Sequence, residues 1–128
     1  MSDLIYKDEC YKIYGVCYSI QNIVGSVFNE RQYQDILEEK LKSENIPYER
    51  EKELYFNIDN KRVGGNKVDF IVFDKIPIDL KTKTFITQED FRQMLRYLKS
   101  GKYKLGLIIN FRGRKVTIKR VVNSAIRI

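Results

Sequence analysis

Apolar residues recur at helical spacing in three parts of the chain. The first two patterns cover residues 3–23 and residues 27–43. In the third, Thr87 and Asp90 have the spacing of a capping box, and the apolar stripe that follows them ends before Gly101, a typical helix stop. The pattern therefore predicts three amphipathic helices, two of which precede every strand.

Short apolar runs and alternating patterns predict five strands. The expected strands cover residues 48–58, 68–73, 76–81, 105–111 and 116–122. The fourth is apolar almost throughout, which predicts an interior strand covered on both faces. The order α-α-β-β-β-α-β-β indicates an α/β fold with a mixed sheet, and the length predicts a single domain over residues 1–128.

The absence of histidine changes which chemistry the chain can carry out. Among its 128 residues there is no histidine, which excludes Ser-His-Asp triads, Cys-His pairs and imidazole zinc sites. Carboxylates, lysines, tyrosines and amides remain. A catalytic site built from these groups usually recruits a hard divalent cation, and no organic cofactor is indicated.

The two cysteines and the hydropathy pattern bear on location. Cys10 and Cys17 lie two helical turns apart, about 10.5 Å along the axis, which is too far for a disulfide. We expect buried, reduced thiols in an intracellular, cytoplasmic protein.

No apolar run approaches the roughly 20 residues that span a bilayer, and the first residues lack the pattern of a signal peptide. Neither a membrane association nor secretion is expected.

Charge is distributed unevenly along the chain. The overall net charge of +7 combines a balance of −4 over residues 1–74 with +11 over residues 75–128. A half this basic attracts polyanions, and nucleic acid is the leading candidate partner. A basic surface with no specific partner explains the same charge equally well.

Two acidic residues and a lysine form the candidate chemical site. Asp69 lies within an apolar strand, where an isolated carboxylate is costly. Asp79 and Lys81 are two residues apart on the next strand, so their side chains share a face. Adjacent strands can bring the two carboxylates together, where a bridging Mg²⁺ relieves their repulsion and Lys81 orients or deprotonates a water. An ordinary strand with a solvent-facing Asp and Lys is the alternative.

These residues also carry a resemblance to a known family. Asp69 followed by Asp79-Leu80-Lys81 resembles the signature of the PD-(D/E)xK nuclease superfamily, the fold of many restriction enzymes and Holliday-junction resolvases. More narrowly, the chain resembles the GxxExxY family within that superfamily. The matching segments, in consistent order, are residues 25, 30–33, 46–51, 61–64, 67–69, 79–81, 93–99, 105–111 and 119–122. The implied fold is a restriction-endonuclease-like core.

The chain departs from the GxxExxY pattern at three positions. Val27 stands where the naming glycine is expected, and Gln21 replaces a histidine that is usual near the end of the first helix. Asp79 stands where this family more often has glutamate, although the superfamily allows aspartate. The metal-binding chemistry is retained, with room for lower activity or altered geometry.

The resemblance implies a role for each site residue. Asp69 and Asp79 would ligate Mg²⁺ or Mn²⁺, helped by the backbone carbonyl of Leu80. Glu30 would reach the same ion or its water from the second helix. Lys81 would position the attacking water and stabilise the negative charge of the transition state.

Other motif residues have both a functional and a structural interpretation. Gln93 matches a motif position that often faces such sites, but it also fits an exposed helix position. Glu30 lies on a strongly charged helix and equally fits a solvated residue. Tyr33 and Tyr97 fall at spacings typical of core packing.

Basic residues suggest where a phosphate backbone would lie. Arg92, Arg96 and Lys99 form one stripe on the third helix, and Arg112, Arg114 and Lys115 occupy the turn before the last strand. Contacts of this kind add salt-dependent affinity without base specificity. Each residue also fits a simple solvated surface.

The favoured function is a divalent-metal-dependent nuclease that acts on nucleic acid, with DNA preferred over RNA. By fold analogy, a homodimer would place two sites on opposite strands. One alternative is a catalytically inactive nucleic-acid-binding module that retains the nuclease fold. Another is an assembly subunit whose basic half binds an acidic protein.

Overall fold

The computed structural model describes residues 5–127, which form three helices and five strands. The helices are α1 (Lys7–Val24), α2 (Glu30–Ser43) and α3 (Gln88–Gly101). The strands are β1 (Tyr48–Ile58), β2 (Lys61–Val72), β3 (Ile76–Lys81), β4 (Leu105–Asn110) and β5 (Thr117–Val122). The predicted order of elements and the α/β class are confirmed. Within residues 5–127 no helix is long and apolar enough to cross a membrane.

All five strands form one mixed sheet in the order β1-β2-β3-β4-β5. Three neighbouring pairs are antiparallel, and β3 pairs with β4 in parallel, with α3 as the connection between them. Every residue of β4 is buried, which confirms the prediction of an interior strand covered on both faces. Because β3 and β4 run in parallel, their carboxyl ends meet at one edge of the sheet.

Helices cover both faces of the sheet. One core packs α1 and α2 against the sheet and includes Tyr33, Ile78 and Leu80. A second core, on the opposite face, packs α3 through Met94 and Leu98. The cysteines Cys10 and Cys17 are free and buried in the first core, as the sequence predicts. An intracellular location stays a prediction.

Several predicted boundaries are corrected. The first helix begins at Lys7, and residues 3 and 4 of its predicted span lie outside the described residues. The second helix begins at Glu30 rather than at residue 27, because the side chain of Asn29 caps it with an extended backbone. In the last hairpin, β4 ends one residue earlier than predicted and β5 begins one residue later.

The largest correction concerns β2, which begins at Lys61 instead of residue 68. Its first half pairs with β1 as the distal part of a long hairpin, and a register shift lies between Leu54 and Phe56. Most side chains in this distal part are exposed, including Val63. Backbone pairing with β1 and surface contacts, such as Arg62 over the Tyr55 ring, hold this part of β2 in a strand. The alternation of buried and exposed positions that predicts strands is missing there.

Helix α3 approaches the sheet closely at Gly106 of β4. A Cβ atom there would lie 2.4 Å from Met94 Sδ and 3.1 Å from Leu98 Cδ2. We expect Gly106→Ala to lower the free energy of unfolding by about 1–3 kcal/mol through overpacking, measured by urea denaturation. Gly15→Ala, at a helix position with no atom within 4 Å of the added Cβ, is the control and should stabilise slightly. An unchanged midpoint for Gly106→Ala would contradict the close packing.

Candidate active site

Two carboxylates lie side by side on one face of the sheet, on the neighbouring strands β2 and β3. Asp79 is 5% exposed, and Asp69 Oδ2 accepts a hydrogen bond of 2.7 Å from the backbone N–H of Leu80. Burial raises the pKa of Asp69, and the negative charge of Asp79 raises it further, to about 8. Two such carboxylates cannot both be ionised cheaply without a cation between them. The predicted approach of Asp69 to Asp79 is therefore found in the structure.

Lys81 lies at the end of β3 on the same face as Asp79. Its Nζ lies 3.1 Å from Asp79 Oδ2 and donates a hydrogen bond of 3.2 Å to Gln93 Oε1 on α3. Burial alone would lower the pKa of Lys81, but the carboxylates around it outweigh burial and raise it. The side chain is therefore a firmly held cation. The structure also brings Gln93 to the site, as the resemblance implied.

Asp90 and Lys83 belong to the same cluster, although the sequence analysis did not include them. Asp90 is 7% exposed, and its Oδ2 lies 2.9 Å from Lys83 Nζ, while its Oδ1 lies 3.9 Å from Lys81 Nζ. Burial opposes ionisation, but the Thr87 amide and the Lys83 ammonium hold the pKa of Asp90 below its usual value. Its spacing from Thr87 predicts only a helix cap. Lys83, two residues beyond Lys81, was the sequence feature that could have indicated a further acidic residue at the site.

Asn110 fixes the loop that follows Lys81. Its side-chain carbonyl accepts from the backbone N–H of Lys83, and its amide donates to the Lys83 carbonyl at 2.8 Å. The backbone N–H of Phe111 donates to the Lys81 carbonyl at 3.0 Å. These bonds tie the carboxyl ends of β3 and β4 together, so the lysines of the site have a rigid support.

Glu30 reaches the site from the first turn of α2. Asn29 and Gln32 form a capping box that sets the start of this helix, and Tyr33 stacks on Phe111 with ring centroids 4.4 Å apart. Burial raises the pKa of Glu30, and the charges of Lys81 and Asp79 also act on it. Glu30 is thus part of the same electrostatic environment. Tyr33 is fully buried, which agrees with its interpretation as a packing residue.

Tyr97 also lies close to the carboxylates, on α3. It is 3% exposed, and its hydroxyl donates to the Lys67 carbonyl at 3.1 Å. Burial raises its pKa, and the charges of Asp79 and Asp69 add to the effect. The phenol therefore stays protonated and packs α3 against β2, as its spacing predicts.

The donor set suits a hard divalent cation. Asp69 and Asp79 supply adjacent carboxylates, and Mg²⁺ typically uses one or two carboxylates together with waters and phosphate oxygens. Within residues 5–127, no three acidic, histidine or cysteine side chains are gathered closely enough to hold a metal by themselves. The two carboxylates therefore fit an ion that takes the rest of its shell from water or substrate, while Glu30 and the Leu80 carbonyl are further ligands that only the resemblance implies.

The predicted basic surface falls into two parts. On α3, Glu89 lies 3.5 Å from Arg92 and 3.1 Å from Arg96, so both cations are partly neutralised. Lys99 is exposed further along the same helix. The remaining predicted residues, Arg112, Arg114 and Lys115, are exposed in the β4–β5 turn. Because this turn follows β4, it lies at the sheet edge where Lys81 ends β3.

Comparison with known proteins places this architecture among nucleases. A family model described as the PD-(D/E)XK nuclease superfamily matches residues 7–121. The solved structure titled "Crystal structure of SSO0001" is similar with a TM-score of 0.58 at 20% identity, covering 73% of this chain and 50% of that one. An alkaline exonuclease from Laribacter hongkongensis is similar with a TM-score of 0.51 at 10% identity, covering 69% and 53%. The chain thus spans about half the length of each, and a search of curated proteins finds no match.

At these identities, the two solved structures support the fold alone. They carry the restriction-endonuclease-like α/β arrangement with its mixed sheet, which confirms the fold that the sequence predicts. The family match is at the level of the superfamily, so membership of the narrower GxxExxY family stays a prediction.

Proposed function

This chain belongs to the PD-(D/E)XK nuclease superfamily, and from that premise we propose that it hydrolyses phosphodiester bonds of nucleic acid with bound Mg²⁺ or Mn²⁺. The observation that carries the proposal is the pairing of a half-buried carboxylate, Asp69, with a buried one, Asp79, beside the cation of Lys81. A purely structural sheet gains nothing from two mutually repelling carboxylates, whereas a metal-dependent site requires them.

The metal-holding residues would be Asp69 and Asp79, with Glu30 and the Leu80 carbonyl completing the protein's share. When bound, the ion would activate a water for attack on phosphorus and neutralise charge on a non-bridging phosphate oxygen. The Leu80 N–H fixes one oxygen of Asp69, which orients the other. The carboxylates are thus positioned before any ligand arrives.

Lys81 serves as the cation of the site. Its ammonium has three N–H donors, of which one reaches Asp79 and one reaches Gln93. The third can donate to the attacking water or to a phosphate oxygen, where it stabilises the charge that develops in the transition state. Gln93 and Asp79 keep the ammonium in place, so little ordering is needed during the reaction.

Nucleic acid would approach across the edge where β3 and β4 end. The exposed basic residues of the β4–β5 turn and of α3 lie on elements that flank this edge, and they suit contacts to phosphates rather than to base edges. We favour DNA because the superfamily includes restriction enzymes and Holliday-junction resolvases. A homodimer with one site for each strand is the arrangement we propose for a duplex substrate.

The second candidate function is a nucleic-acid-binding module without catalysis. Val27 and Asp79 are the departures from the narrower family pattern that favour it. This alternative predicts salt-sensitive binding that is unchanged by chelation and no hydrolysis under any condition.

The test is cleavage of end-labelled duplex, single-stranded and four-way-junction DNA, and of a matched RNA, with Mg²⁺, Mn²⁺ or EDTA. We expect cleavage of at least one DNA in either metal, none in EDTA, and recovery when metal is restored. DNA binding without cleavage in both metals would contradict the nuclease and leave the binding module.

A further inference from the structure

An open groove of about 810 Å³ lies between the end of α1 and the β4–β5 turn. Its volume falls within the roughly 300–1,000 Å³ typical of small-molecule sites. The lining residues are Tyr18, Gln21, Asn22, Gly25, Ser26, Arg114 and Lys115. The groove is thus lined by one aromatic ring, several neutral polar groups and two cations, with no carboxylate.

Gln21 builds this groove by joining its two walls. Its amide nitrogen donates to the Gly113 carbonyl at 3.0 Å, and its carbonyl accepts a hydrogen bond from the backbone N–H of Val116. One side chain on α1 therefore pairs with both ends of the basic turn. Arg114 and Lys115 are consequently presented by a turn that is fixed to a helix.

The groove shares the edge of the sheet that carries the candidate active site. The Gly25 carbonyl on its rim accepts a hydrogen bond of 2.6 Å from Tyr33, the residue that stacks on Phe111 at the end of β4. Four residues beyond Ser26, the chain reaches Glu30 of the candidate active site. The groove and Lys81 therefore lie at the same end of the sheet, and a nucleic-acid strand can extend from one to the other.

The charges of the groove are available to a ligand. Over the part of the chain that the structure describes, neither Arg114 nor Lys115 takes part in an ion pair, whereas Arg92 and Arg96 share Glu89. The neighbouring groove between α1 and α2 is more acidic, because two carboxylates and one lysine line it among apolar side chains, namely Asp35, Glu39 and Lys40. Of these two grooves, the one lined by Arg114 and Lys115 therefore suits an anion better.

Tyr18 adds a flat surface to this anion site. Its side chain is 52% exposed at the groove, and none of the ring pairs in residues 5–127 includes it. A free aromatic ring beside unpaired cations is the combination that single-stranded nucleic acids use, with the base stacked and the phosphate neutralised. A base within an intact duplex is already stacked and paired, so it cannot lie on this ring.

We propose that the groove binds one unpaired nucleotide of the substrate strand next to the cleaved bond. Its base stacks on Tyr18, and its phosphate contacts Arg114 and Lys115. This inference rests on the proposed function and narrows its substrate to nucleic acid with a single-stranded segment, such as a free end, a flap or a branch. An intact linear duplex is not the preferred substrate.

The experiment measures binding in EDTA by fluorescence anisotropy, using a labelled 12-nucleotide oligo(dT) and a blunt 12-base-pair duplex with the full chain. We expect Tyr18→Ala to weaken oligo(dT) binding about tenfold, while Tyr18→Phe stays within about twofold of the native chain because stacking is kept. The duplex affinity should change less than about twofold for both. Arg114→Ala with Lys115→Ala should reduce the salt dependence of oligo(dT) binding by about 1.4 in log–log slope.

The matched control is Tyr11→Ala with Lys12→Ala, which removes an exposed tyrosine and a lysine from the same helix two turns before the groove. Its oligo(dT) affinity should stay closer to the native value than that of either groove variant. Native-like binding by Tyr18→Ala, equal losses for the duplex, or no oligo(dT) binding by the native chain would overturn the inference.

The outcomes separate this inference from the proposed function, because binding in EDTA requires no catalysis. If the chain cleaves DNA with metal but Tyr18→Ala binds oligo(dT) like the native chain, the nucleotide site in the groove is wrong and the nuclease function stands. Tyr18-dependent binding without cleavage in either metal would reject the nuclease and keep the groove as a nucleotide site.

Discussion

Lys81→Ala is expected to reduce the cleavage rate by roughly 10²–10³-fold, the loss typical of removing one preorganised donor to a developing negative charge. The Lys81 ammonium lies 3.1 Å from Asp79 and donates to Gln93, so its removal takes away the cation that contacts the Asp79 carboxylate. Lys83 is already engaged 2.9 Å from Asp90. Single-turnover cleavage of the best substrate in Mg²⁺ measures the effect.

Two further variants separate catalysis from folding. Lys81→Arg keeps a cation beside Asp79 and should remain folded by circular dichroism, yet it should cleave slowly because a planar guanidinium does not replace a point-like ammonium. Lys75→Ala removes a lysine at the opposite end of β3, where it pairs with Glu9 at 3.0 Å, and should keep native activity. Cleavage by Lys81→Ala at the native rate would contradict the assigned role of this residue.

Asp69→Asn is expected to abolish metal-dependent cleavage and to stabilise the metal-free protein at the same time. The asparagine carbonyl can still accept the Leu80 N–H, and its amide can donate to Asp79 in place of a repelling oxygen. At pH 8 in EDTA, we expect the free energy of unfolding to rise by on the order of 2 kcal/mol.

The pH dependence of that gain follows from the raised pKa of Asp69. A carboxyl whose folded pKa is about 8 binds its proton more tightly in the folded state than in the unfolded one. The native chain therefore loses stability as the pH rises from about 4 towards 8, and the advantage of Asp69→Asn grows over that interval. Below about pH 4 the two proteins should be similarly stable.

Metal addition provides a second readout for the same variant. Saturating Mg²⁺ should stabilise the native chain by about 1–3 kcal/mol and leave Asp69→Asn almost unchanged, as measured by thermal or urea unfolding. Asp74→Asn, an exposed residue at a positive φ that asparagine tolerates, is the control and should respond to Mg²⁺ like the native chain. An equal Mg²⁺ response in Asp69→Asn would contradict its role as a ligand.

The parts of the fold that were predictable from the sequence are those that local patterns encode. Apolar periodicity predicts the three helices and the order of the strands, because each element buries one face or two. The two-residue period of a strand predicts that Asp79 and Lys81 share a face, and the structure places them 3.1 Å apart. The position of Asp69 in an apolar strand marked it as a costly carboxylate, and the structure places it beside Asp79, whose charge and the burial of Asp69 raise its pKa.

The remaining features depend on contacts between distant parts of the chain. Gln21 pairs with Gly113 and Val116, more than 90 residues away, and no local pattern indicates such a contact. Asp90 satisfies a helix cap and the lysine cluster with the same carboxyl group, so the simpler local explanation concealed its second contact. In the distal part of the β1–β2 hairpin, β1 was predictable to its end at Ile58, whereas the first half of β2 has exposed side chains and is identified by its pairing with β1.

The single parallel pairing in the sheet has a consequence for how the chain folds. Strands β1 to β3 and strands β4 and β5 are each joined by short turns, whereas β3 pairs with β4 only after α3 has crossed over. The carboxylates lie on one side of this join, and the basic turn lies on the other. Because the two parts must dock before the carboxylates and the basic turn come together, we expect a half-folded chain to lack both the proposed metal site and the basic surface beside it.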